Sequence, residues 1–230
     1  MKKLVLVETE MKGPKGHYLD NLIETSRIFK KKFNISWIVN NEYSNLNTYV
    51  PKSINIYRSV NSNKVKRKEN KFYYLLEELY LFFINIFQIF YFSIFFLLKK
   101  KFLLFIYALK TNYFLLPRYF YSFYKKYKEL KLNNNDHVFF QTARRKDIEL
   151  IFFLILLDKN HPKFHIRVFL PPNNKFKGFF YYLKLIDDAL IKKRAFIYLF
   201  SKSTQRLFLK NSISKKGIYL SNIPWSFYKR

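Results

Sequence analysis

Leu4-Val5-Leu6-Val7 is a run of four apolar residues that passes directly into a polar, glycine-bearing loop from Glu8 to Gly16. A strand that short and apolar on both faces has to be covered on both sides, which points to the interior of a parallel sheet. The residues that follow agree. From Tyr18 the apolar positions Leu19, Leu22, Ile23, Ile28 and Phe29 recur mostly at steps of three and four, the spacing of a helix. Asn34 to Val39 and Ile54 to Val60 then read as a second and a third strand. Strand, loop, helix, strand, strand is the grammar of a doubly wound α/β sheet.

The alternation resumes after Asn133-Asn134-Asn135-Asp136. His137 to Gln141, Phe164 to Leu170, Ala195 to Phe200 and Gly217 to Ser221 read as strands. Asp147 to Leu157, a stretch over 176–192 and a short segment opened by Ser203 read as the helices between them, with a loop from Thr142 to Lys146. The expectation is an α/β, Rossmann-like parallel sheet of about six or seven strands, with Leu4 to Val7 central and helices on both faces. Residues 1–224 form a single domain in this reading, and 225–230 lie beyond it.

Residues 61–132 interrupt that grammar. A polar, basic linker over 61–70 leads into a stretch dominated by aromatic and aliphatic residues, an aromatic-rich helical insertion. Leu79 to Leu98 holds no charged residue and is closed by Lys99-Lys100-Lys101. About 20 apolar residues is the length of a membrane span. Asn85, Gln88 and Ser93 interrupt the run, and a single span here would put the first three strands and the later four on opposite sides of a bilayer. A helical hairpin packed on the domain or lying in the membrane interface is the favoured reading, with Lys99 to Lys101, Lys125, Lys126, Lys128 and Lys131 toward the headgroups.

The chain carries 43 Lys and Arg against 15 Asp and Glu, a formal charge of +28, which favours anionic partners: lipid headgroups, phosphate-bearing substrates or nucleic acid. Its abundance of Lys, Asn, Ile, Phe and Tyr is also what an AT-rich genome encodes most easily. Nucleic acid ranks low, because the aromatics lie in continuous apolar runs rather than singly among glycines and basic residues. Without cysteine there is no disulfide, thiolate nucleophile or cysteine-ligated zinc. Met1-Lys2-Lys3 precedes only four apolar residues, short of the about 7–15 of a signal peptide. A cytoplasmic protein, peripheral on the inner face of the membrane, is the expected location.

The loop Gly13-Pro14-Lys15-Gly16-His17 lies between a buried strand and a helix, at the carboxyl end of the strands where ligands of parallel sheets bind. Glycines there let backbone amides approach a phosphate or a sugar, although tight turning alone also explains them. The pattern is not the dinucleotide fingerprint GxGxxG, and no P-loop, G-x-S-x-G or metal-ligand spacing is present. Gln141, Thr142, Arg144 and Arg145 follow a strand on the same edge, and an arginine offers a planar fork to phosphate. Asp147 reads as a helix cap. His165 and Arg167 share the strand face opposite Phe164, Ile166 and Val168 and read as packing, while His137 and His161 read as isolated.

A first strand, a glycine loop running into Gly16-His17-Tyr18 and an immediate helix resemble the opening of GT-B glycosyltransferases. Ala195 to Ser203 is similar to that family's strand leading to a serine that starts a helix. Gly-Ile-Tyr-Leu-Ser-Asn-Ile-Pro at 217–224 looks like the turn linking its two domains. The resemblance covers 1–60 and 133–224. It implies an acceptor-side domain in which Gly13 and Gly16 face the donor phosphates or the transferred sugar, and His17 bonds an acceptor hydroxyl or acts as base. An imidazole titrates near about 6.5, which suits that task. Gln141, Thr142, Arg144 and Arg145 are then acceptor or phosphate contacts. The implied partners are a nucleotide sugar as donor substrate, with no other cofactor and no metal, a glycan or lipid-linked acceptor, and an anionic membrane surface. The family's donor-binding half, with its E-x7-E-like element, would follow Pro224. The resemblance therefore implies a fragment, a split enzyme with a second chain, or a decayed copy, inactive alone. The competing reading is a basic, non-enzymatic membrane-associated or nucleic-acid-binding protein.

Overall fold

The structure, a computed structural model, describes residues 1–9, 11, 17–40, 50–51, 53–59, 76, 79, 82–83, 86, 90, 94, 117–168, 183, 186–211 and 217–220. The chain divides into two compact units, Met1–Asn61 with Tyr124–Arg230, and Ser62–Phe123.

The first unit is built on seven strands: β1 (Lys2–Glu8), β2 (Phe33–Asn40), β3 (Asn55–Ser59), β4 (His137–Ala143), β5 (Lys163–Val168), β6 (Ala195–Leu199) and β7 (Ile218–Leu220). All pair in parallel, in the order β3-β2-β1-β4-β5-β6-β7. The described helices are α1 (His17–Phe29), α2 (Pro117–Glu129), α3 (Arg145–Leu157), α4 (Asp187–Ile191) and α5 (Lys202–Asn211). This is the expected α/β sheet, with the Leu4 to Val7 strand flanked on both sides.

Alternation along β1 explains why four apolar residues in a row are needed. Leu4 and Leu6 join Trp37 and Val39 of β2, Phe139 of β4 and Leu19 and Leu22 of α1 in one cluster. Val5 and Val7 point the other way and are as thoroughly covered. Each such side chain contributes about 1.5–3 kcal/mol by leaving water. The crossover through α1 runs from β1 toward β2, and that through α3 runs from β4 the opposite way along the sheet. Right-handed connections therefore set α1 and α3 on opposite faces. Ile148 through Leu154 of α3 are all buried, Glu149 among them, so this helix is covered around its whole circumference.

Local chemistry moves several boundaries. β4 continues through Ala143 and α3 begins at Arg145, so the loop expected from Thr142 to Lys146 shrinks to Arg144. Asp147 caps α3 as read: the Arg144 N–H donates to its Oδ2 at 2.7 Å. The last long helix starts at Lys202 rather than Ser203, because Ser201 is the cap, its Oγ accepting the Thr204 N–H at 3.1 Å. β7 starts at Ile218. Gly217 precedes it at φ +75°, where a Cβ would stand 3.1 Å from the Ala195 carbonyl oxygen.

A buried polar link ties α1 to β2. The Trp37 indole Nε1–H donates to Ser26 Oγ at 2.9 Å, and that hydroxyl donates to the Leu22 carbonyl at 2.7 Å. Ser26→Ala is expected to strand the indole N–H and lower stability by about 1–3 kcal/mol. Urea unfolding should show most of that loss absent when Ser26→Ala is made in a Trp37→Phe background. An equal loss in both backgrounds would rule the hydrogen bond out as the cause.

Candidate functional site

Strand numbers rise in both directions from the boundary between β1 and β4. The chain leaves β1 toward one face and β4 toward the other, the kind of switch point at whose carboxyl ends parallel sheets bind ligands. β1 and β4 are parallel neighbours with Leu4 opposite His137, which brings the loops after both strands to the same edge.

The sequence-derived residues fall along that edge unevenly. Gly13 and Gly16 lie outside the described residues. His17 is the first residue of α1, which follows β1, and its side chain lies outside the described set. Gln141 and Thr142 stand at the end of β4 and both are buried. Arg144 is exposed at the cap of α3; Arg145 begins that helix, and its side chain also lies outside the described set.

The register of β4 against β5 breaks where Gln141 and Thr142 sit: Phe140 pairs with Ile166, but Ala143 pairs with Val168. Two residues of β4 thus oppose the single Arg167, a bulge that re-aims side chains at the edge. Arg167 is fully buried and its Nε–H donates to the Gln141 carbonyl at 2.9 Å. Its guanidinium lies over the rings of Phe139 and Phe200, at 5.8 Å and 5.7 Å from their centroids. Burial lowers its pKa to about 10, with the Glu8 carboxylate opposing the shift, so it is cationic at neutral pH. Glu8, the last residue of β1, is buried as well.

Gln141 is the anomaly. Its side chain is fully buried, yet neither Nε2 nor Oε1 has a hydrogen-bond partner among the described residues, and the Thr142 hydroxyl is in the same position. Leaving such groups unsatisfied costs about 1–3 kcal/mol each, so their retention asks for a reason. An amide whose donor and acceptor have no partner among the described residues, in a residue whose own carbonyl takes a buried guanidinium N–H, has the chemistry to meet a polyhydroxylated or anionic ligand.

No protein-family model and no curated protein matches the chain. The edge therefore has to be read on its own chemistry.

Arg167 and Glu8 were missed as edge residues. The available signal was a charge at or near the end of an otherwise apolar strand, as in Phe164-His165-Ile166-Arg167-Val168. Arg167 is packed as read, against Phe139 and Phe200, and also bonds the Gln141 carbonyl; the reading of His137 as isolated is corrected. His137 Nδ1 lies 2.8 Å from His165 Nε2, and His165 Nδ1 lies 2.9 Å from Tyr198 Oη. The His165 ring stacks on Phe196 and Tyr198 at centroid distances of 5.0 Å and 5.8 Å. Burial, with the charges of His137 and Lys163, takes the His165 pKa down to about 3, and burial raises that of Tyr198 to about 12. Both groups are neutral at pH 7. A cavity of about 350 Å³ lies against this row, bounded also by Leu4, Phe29 and Phe33, on the sheet face rather than its carboxyl edge. Among the described residues, no group of three or more His, Asp or Glu side chains is gathered as a metal site.

Proposed function

We propose that this domain binds the acceptor in sugar transfer from a nucleotide sugar, as one wall of a GT-B-type glycosyltransferase cleft. What carries the reading is the fully buried amide of Gln141 at the β1/β4 boundary, which has no hydrogen-bond partner among the described residues, with Thr142 next to it in the strand. A sugar offers paired donors and acceptors on adjacent hydroxyls, and one hydroxyl pair would satisfy both ends of the amide. The buried cation of Arg167 supplies positive potential at the same edge, which suits a donor phosphate or a phosphate-linked acceptor. His17, at the start of α1, is the proposed base for the acceptor hydroxyl, and Gly13, Gly16, Arg144 and Arg145 are the proposed contacts to acceptor or phosphate. One sheet makes one wall, so the donor phosphates call for a second, on another domain or another chain. The proposed location is the cytoplasm, at the inner face of the membrane, where a lipid-linked acceptor would be presented.

Gln141→Leu separates this role from a structural one. Replacing two unsatisfied buried groups by an apolar side chain of similar size is expected to leave stability unchanged or raise it by about 1 kcal/mol. The same change should weaken binding of a saccharide acceptor at least tenfold. Thermal unfolding and calorimetric titration with short oligosaccharides and a glycosylated lipid would measure both. Loss of stability with binding intact, or no saccharide binding by the unaltered protein, would overturn the proposal.

A further inference from the structure

The row of His137, His165 and Tyr198 on the sheet face takes no part in the carboxyl-edge site, and the cavity of about 350 Å³ beside it is of a size that small molecules fill. Leu4, Phe29, Phe33 and Phe139 give that cavity apolar walls, and among its described lining residues the two imidazoles and the phenol are the polar side chains. The row has a fixed proton count. His137 Nδ1 faces His165 Nε2 at 2.8 Å, and His165 Nδ1 faces Tyr198 Oη at 2.9 Å. Each of these two contacts takes one proton while three neutral groups bring three, so one proton is always left at an end. In one arrangement the phenol donates inward and His137 Nε2 carries an N–H. In the other His137 donates inward, its Nε2 is a bare acceptor, and the phenol O–H is free. Among the described residues His137 Nε2 has no hydrogen-bond partner of its own.

These properties select a ligand. A hydroxyl both donates and accepts, so it can bond the His137 end in either arrangement, whereas a carbonyl matches only one. Burial holds both imidazoles below their ordinary pKa and the phenol above its own, so the row is uncharged at neutral pH. Lys163 and Lys2 act on His137 through space, but neither lines the cavity, and a carboxylate or phosphate there would find no cation in the lining. The walls favour a ring over an aliphatic chain. Phe33 meets Phe29 and His137 edge to face, at centroid distances of 6.0 Å and 5.2 Å, and a flat ring continues that packing. We propose that the cavity binds a neutral phenolic compound, its ring against Phe29, Phe33 and Phe139 and its hydroxyl bonded to His137 Nε2. Neither Gln141 nor Thr142 takes part, so the proposal stands whether or not the carboxyl edge binds a sugar.

The test uses the full chain at pH 7 and physiological ionic strength, with three probes that share one ring system: 2-naphthol, naphthalene and 2-naphthoate. Fluorescence titration with 2-naphthol gives its affinity, and displacement gives those of the other two. 2-Naphthol is expected to bind at least about tenfold more tightly than either, because a site built to bond a hydroxyl discriminates against analogues that lack it. His137→Phe keeps a ring beside Phe33 but removes the end of the row. It should erase the preference for 2-naphthol and leave naphthalene binding unchanged. Nitrogen NMR of the wild-type imidazoles gives a readout that does not depend on how the variant folds. 2-Naphthol should shift the ring nitrogens of both His137 and His165, since a bond at one end fixes the protons along the row, while those of His161 stay in place. The proposal is overturned if 2-naphthol binds no better than naphthalene, which would mean nonspecific apolar contact. Tighter binding of 2-naphthoate would overturn it too, as the mark of an anion site. So would a preference that survives in His137→Phe, or His165 nitrogens that do not respond.

Discussion

Arg167→Ala is expected to destabilise the fold by about 3–5 kcal/mol, among the largest effects of any single change in this sheet. The guanidinium is fully buried between the rings of Phe139 and Phe200, and it donates to the Gln141 carbonyl. Its charge also offsets that of the buried Glu8. Alanine would remove all three contributions and leave a carboxylate in a site of low polarity. Arg167→Met keeps most of the volume but not the charge, so it should recover only the packing share. Adding Glu8→Gln to Arg167→Met should then restore more of the loss, because no uncompensated charge remains. Urea unfolding of the three variants measures each step. If Arg167→Ala falls within about 0.5 kcal/mol of wild type, as an ordinary surface substitution does, the cation is not structural.

Acid should weaken the fold well before its carboxylates are fully protonated, and His165 should set much of the slope. Burial under stacked rings, with the charges of His137 and Lys163 adding to it, holds its imidazole at about 3. The same ring in an unfolded chain takes a proton near about 6.5. Between those values the unfolded state binds more protons, so stability rises with pH. The contribution of His165 is complete above about 6.5 and is lost as the pH falls toward 3, an effect of roughly 4 kcal/mol. His137 and His161, both held low chiefly by burial, act in the same direction. Urea unfolding across this range should give a flatter profile for His165→Gln than for wild type, the difference between them removing the carboxylates common to both. Parallel profiles would show that His165 protonates freely in the folded protein.

How far the sequence speaks for this fold depends on the range of the physics involved. The strands could be read because they are local patterns: Leu4 to Val7 needs cover on both faces wherever it is placed, and Phe164, Ile166 and Val168 alternate regardless of their neighbours. The start of α1 and the cap at Asp147 were legible for the same reason, since each is settled within one turn of chain. The carboxyl edge was only half legible. That Gln141 and Thr142 lie there follows from strand order, but their burial without partners arises from a bulge against β5. Arg167 could be read as packing from its own strand, which gives no hint of Glu8, far away on β1, or of the Gln141 carbonyl that takes its Nε–H across a separation of 26 residues. His137 looked isolated until β4 and β5 set it 2.8 Å from His165. The sequence by itself determined where the seven strands and the helices α1, α3 and α5 lie and that the sheet is parallel, because periodicity and the need for cover are properties of short segments. Only the tertiary structure decided which polar groups are buried together at the edge, because burial and pairing are properties of neighbours that the chain supplies from distant strands.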